Sequence, residues 1–67
     1  MKGIVKWFNQ TKRYGFIEKE DGTGDIFIHL ADVQLAGLST LHPDDNVTFD
    51  IGKNDRGEKA INIQVLK

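Results

Sequence analysis

Two short stretches constrain this chain more than any other feature. In Tyr14-Gly15-Phe16-Ile17 and Asp25-Ile26-Phe27-Ile28-His29, alternate residues are rings while the residues between them are glycine or isoleucine. Side chains on a strand point alternately to its two faces, so each run reads as a strand with two differently furnished sides. If the two strands pair, Tyr14, Phe16, Phe27 and His29 lie together on one face. Such a face is either a core or a surface for stacking flat ligands.

The rest of the sequence decides between these. A β-branched and aromatic run from Lys2 to Asn9 predicts a first strand, ended by Asn9-Gln10-Thr11. Val5 faces in and Lys6 out, whereas Trp7-Phe8 sets two large rings on opposite sides, one of them at least partly wet. Glu20 to Gly24 predicts a solvated hairpin turn, since the ligand spacing of a calcium loop is absent. Leu30 to Val33 fits one helical turn, Gln34 to Leu41 a connection, and His42 to Asn46 a proline-containing turn. Val47, Phe49 and Ile51 alternate along a fourth strand. Gly52 to Gly57 turns the chain, and Ile61, Ile63 and Val65 share a face of a fifth, from about Lys59 to Leu66.

Five strands with turn signals and no long helical period predict a small all-β, five-stranded barrel. Val5, Ile17, Ile26, Ile28, Val47, Phe49, Ile51, Ile61, Ile63 and Val65 fill its inward positions. Tyr14, Phe16 and Phe27 are then left outside the core, forgoing burial worth roughly 1.5–3 kcal/mol for each ring. At 67 residues the chain is expected to form one domain, 1–67, with little stability to spare.

The net charge is only -1, but it is unevenly spread. The first 17 residues carry Lys2, Lys6, Lys12 and Arg13 and no acid, while the remainder sets five bases against ten acids. Positive charge thus coincides with Trp7, Phe8, Tyr14 and Phe16, a combination suited to phosphates and bases. There is no cysteine, which excludes disulfide-stapled and thiolate-zinc designs. One serine and two separated histidines offer no catalytic constellation, so no enzyme activity, catalytic residue, metal or cofactor is expected. With neither a signal peptide nor a membrane span, the expected location is the cytoplasm. Two Asn-x-Thr triplets, at Asn9 and Asn46, carry no meaning without secretion.

Taken together, Gly3-Ile4-Val5-Lys6-Trp7-Phe8-Asn9, Lys12-Arg13-Tyr14-Gly15-Phe16-Ile17, Asp25-Ile26-Phe27-Ile28-His29 and the later Arg56-Gly57 with Ala60 and Asn62 resemble the bacterial cold-shock proteins. The two central segments are similar to that family's ribonucleoprotein motifs, and the likeness runs along essentially the whole chain. The resemblance implies an antiparallel OB-fold barrel that binds single-stranded RNA or DNA. Its binding residues would be Lys6, Trp7, Lys12, Tyr14, Phe16, Phe27, His29 and Arg56, with Phe8 and Asp25 at the margin. It further implies a passive RNA chaperone and transcription antiterminator.

Four positions depart from the family pattern. Leu30 and Leu38 stand where relatives often carry aromatics, Ile4 replaces a frequent lysine, and Arg13 replaces the usual glycine. Fewer stacking faces imply weaker binding, which Arg13 offsets if it meets a phosphate or a base. The alternative reading of an aromatic face is a peptide-binding barrel of SH3-like kind, although flanking lysines suit phosphates better. The chain is expected to be monomeric, with the Gln34 to Leu41 connection long enough to serve as a hinge for a domain-swapped homodimer.

Overall fold

The structure, a computed structural model, describes residues 1–55 and 57–66. Strands β1 (Lys2–Asn9), β2 (Tyr14–Lys19) and β3 (Asp25–His29) form a meander, followed by a short helix α1 (Leu30–Leu35) and strands β4 (Asn46–Asn54) and β5 (Gly57–Val65). They close into a barrel in the order β1-β2-β3-β5-β4, with β1 pairing β4. This is the all-β, five-stranded OB-fold architecture expected from the sequence. Pairing is antiparallel except at β3 and β5, which meet in parallel at Phe27 and Lys59.

The acidic turn between β2 and β3 is held by its own side chains. Asp21 accepts from the Thr23 amide at 3.0 Å and its hydroxyl at 2.7 Å. These two bonds favour the ionised form and hold the Asp21 carboxyl below its ordinary range. Helix α1 begins where the His29 ring nitrogen Nδ1 accepts from the Ala31 amide at 3.0 Å. Lys59 on β5 reaches Asp32 of α1 at 3.3 Å, as an ion pair rather than an aligned hydrogen bond, and so ties the helix to the barrel.

The core contains Val5, Ile17, Ile26, Ile28, Val47, Phe49 and Ile63 as expected, joined by Val33, Leu41 and Ala60. Two expected members lie elsewhere. Ile51 is 38% exposed, and Ile61 is half-buried outside the core, while Val65 packs against it from a half-buried position. For Ile61 the cause is a register shift between β4 and β5. Thr48 pairs with Gln64 but Asp50 with Ile61, so β5 carries one residue more than its partner. Asn62, at φ 53, lies within that extra stretch, and its side chain donates to Asp50 at 3.0 Å. A bulge of this kind reverses the alternation, so Ala60 and Ile63 both face in and Ile61 is turned out.

Candidate nucleic-acid interface

The ring face is built by register. Tyr14 pairs with His29 and Phe16 with Phe27 across β2 and β3, so all four side chains leave the sheet on the same side. Gly15, Ile17, Ile26 and Ile28 are buried on the opposite side.

Trp7 joins these rings because of a second bulge. Val5 pairs with Ile17 and Trp7 with Phe16, which leaves Lys6 as an extra residue on β1. Straight alternation would send Trp7 inward beside Val5. The bulge instead brings Trp7 out with Phe16 and leaves Lys6 exposed as well, so that a cation and the largest ring are neighbours on one rim. Phe8 is correspondingly turned toward the inner side, partly buried and packed against the core. The sequence signal for this bulge was the Trp7-Phe8 doublet itself, which cannot sit comfortably on an unbroken alternation.

The rings touch in a continuous row. Trp7 lies 5.5 Å from both Tyr14 and Phe16, Tyr14 lies 5.7 Å from Phe27, Phe16 lies 6.0 Å from Phe27, and Phe27 lies 6.3 Å from His29, centroid to centroid. Most of these pairs are edge-on or tilted, while Tyr14 and Phe27 are near parallel at 29°. Tyr14, Phe16 and Phe27 are each half-buried by their neighbours, while Trp7 is 40% exposed. Mutual packing, worth about 0.5–1.5 kcal/mol for each favourable pair, thus recovers part of the burial the rings forgo on the outside of the barrel.

Charged groups stand around this row. Lys6 meets Asp25 at 3.3 Å, with side chains 46% and 37% exposed, so the pair is wet and contributes little to stability. Asp25 is therefore a loosely held counter-ion of Lys6 rather than a structural tie. Lys12 and Arg13 sit in the turn before β2, which Asn9 organises. Its side chain accepts from the Lys12 amide at 2.9 Å and its carbonyl from the Arg13 amide at 2.8 Å. The Arg13 carbonyl then accepts from Leu30 at 2.9 Å, fastening the turn to the end of β3.

Arg13 adopts φ 66, a backbone conformation that costs an L side chain about 1–2 kcal/mol and suits glycine. Leu30 and Leu38 pack against the core, so neither extends the row. Arg56 lies outside the described residues. Sequence reasoning missed Gln34, which lines a hollow together with Arg13 and His29. Nothing in its local sequence marks it, because only the fold of α1 brings it there.

Among the described residues, no group of three His, Asp or Glu side chains could hold a metal ion, and no helix is long and apolar enough to cross a membrane.

Residues 1–66 match the model of the 'Cold-shock' DNA-binding domain. The chain is similar to a cold shock-like protein of Aquifex aeolicus, with 43% identity over 97% of this chain and 93% of that protein. It is also similar to cold shock protein 2 of Lactiplantibacillus plantarum, at 48% identity over 92% of each chain. A third relative is the cold shock-like protein CspC of Shigella flexneri, 42% identical over 98% of this chain and 96% of that protein. A barrel carrying a ring row on β1 to β3 and a family match along nearly its whole length place this chain in the cold-shock domain family of nucleic-acid-binding proteins.

Proposed function

We propose that this protein binds single-stranded RNA and DNA and acts without catalysis, as a cytoplasmic RNA chaperone and transcription antiterminator in a cold-shock-type response. The observation that carries this reading is the unbroken ring row from Trp7 to His29, flanked by Lys6, Lys12 and Arg13. Every base has a flat π-face, so such a row gives affinity without demanding a sequence. Those faces are available only on unpaired strands, because a duplex stacks its bases on each other. By mass action, a protein that holds the open form shifts a hairpin toward it and needs no nucleotide hydrolysis. All the rings belong to one chain, so a monomer suffices, and residues 1–67 act as one domain.

The flanking cations make the binding salt-sensitive. A hairpin oligonucleotide labelled with a fluorophore and quencher at its ends should open on titration with the protein, without ATP. The effect should weaken as salt rises, with log K falling by about 0.7 per unit of log salt for each phosphate contacted. A hairpin that stays closed at saturating protein and low salt would exclude the chaperone activity.

A further inference from the structure

Beyond the ring row, Arg13, His29, Leu30, Ala31 and Gln34 line a hollow of about 330 Å³. Its polar side chains have one character. Arg13 contributes a guanidinium with five donors and Gln34 an amide. His29 uses Nδ1 to accept from the Ala31 amide at 3.0 Å, which leaves Nε2 as the ring nitrogen free to donate. No carboxylate lines this hollow, whereas two further hollows on the barrel are lined by Glu18 and Glu20 and by Asp32. Donors without a counter-ion, around a site wide enough for a phosphate, select an anion.

Position matters as much as charge. His29 is at once the last ring of the row, 6.3 Å from Phe27, and a wall of the hollow, so a strand stacked along the rings runs directly into it. Arg13 is held in place by its backbone, through Asn9 on one side and Leu30 on the other, at a φ of 66 that a glycine would adopt without strain.

We infer that this hollow is a phosphate subsite. It holds the backbone phosphate of the nucleotide whose base lies on His29, with Arg13 as its anchor and Gln34 and the His29 Nε2–H as supporting donors. The inference rests on the reading that the rings stack bases, and it adds to that reading a defined role for Arg13.

The test follows Trp7 fluorescence while wild type, Arg13→Gly, Arg13→Lys and Phe27→Ala are titrated with oligothymidylates of increasing length at several salt concentrations. For oligonucleotides long enough to pass His29, Arg13→Gly should lower the salt slope by about 0.7 and weaken low-salt binding about three- to fivefold. Shorter oligonucleotides, which end before His29, should bind Arg13→Gly and wild type alike. Arg13→Lys should keep the slope, and Phe27→Ala should weaken binding at all salt concentrations with the slope unchanged. Arg13→Gly should fold at least as stably as wild type, so a loss of binding is not a loss of structure. An Arg13→Gly variant with wild-type slope and affinity at every length overturns the subsite while leaving base stacking in place. A wild type that binds no oligonucleotide overturns both.

Discussion

Replacing Phe16 with alanine is expected to weaken single-strand binding by about 1–3 kcal/mol, the usual worth of one base stacked on one ring. Phe16 has three ring neighbours in the row, with Trp7 at 5.5 Å, Phe27 at 6.0 Å and Tyr14 at 6.2 Å. Its loss removes a stacking face and also loosens the three rings around it. Because Phe16 is half-buried by those neighbours, a stability loss of about 1 kcal/mol should accompany the weaker binding. Titration at constant salt measures the first effect and urea unfolding the second. Unchanged affinity would mean that bases do not lie on this face. A stability loss of the size seen for buried Phe→Ala changes, about 3–5 kcal/mol, would make the ring part of the core instead.

The largest loss of stability is expected from a much smaller change, Gly15→Ala. Gly15 faces inward on β2 directly beneath the place where bulged β1 closes upon it. A Cβ there would collide with the Trp7 carbonyl oxygen and stand 2.8 Å from the Phe8 Cα, both of them backbone atoms unable to swing aside. Accommodating the methyl group means pushing β1 away from β2, at a cost of about 3 kcal/mol, the upper part of the range for overpacked sites. A domain of this size has roughly 3–10 kcal/mol in all. The urea midpoint should therefore drop steeply, and the Trp7 contacts with Tyr14 and Phe16 should be disturbed together with it. By comparison, Gly22→Ala meets no atom within 4 Å and should cost only the about 1–2 kcal/mol of its φ of +75. A Gly15→Ala protein that unfolds at the wild-type midpoint would contradict the close approach of the two strands, and with it the bulge that turns Trp7 outward.

That bulge also marks the limit of what the sequence could disclose. The bounds of β2 and β3, and the split between their ring face and isoleucine face, follow from simple alternation because neither strand has an irregularity between the rings. β1 and β5 each contain one extra residue, and alternation carried across it assigns the side chains on one side of it to the wrong face. Trp7 therefore could not be placed from its neighbours, and Ile61 was expected inside while Ala60 fills the position. The Asn62 bulge was cryptic because asparagine occupies a left-handed conformation without the glycine that would have announced it. Val33 and Leu41 were missed as core for a different reason. They lie outside the strands, and only the closed barrel shows that its open end needs covering.

The candidate site was legible to the extent that it depends on residue type. Aromatic and basic residues of one segment meet in space as they do in sequence. What the chain order conceals is partnership: that Lys6 already has a counter-ion in Asp25, that His29 spends one nitrogen capping α1, and that Gln34 comes round to Arg13.

Trp7 stands at one end of the row in contact with Tyr14 and Phe16, so its fluorescence reports directly on whatever covers the rings. The decisive measurement is a Trp7 titration at low salt with a pyrimidine-rich strand, alone and then annealed to its complement. The single strand should quench the emission to saturation, and the duplex should bind far more weakly, because its bases are already stacked. Equal quenching by both, or none by the single strand, would contradict the claim that this barrel works by offering its rings to unpaired bases.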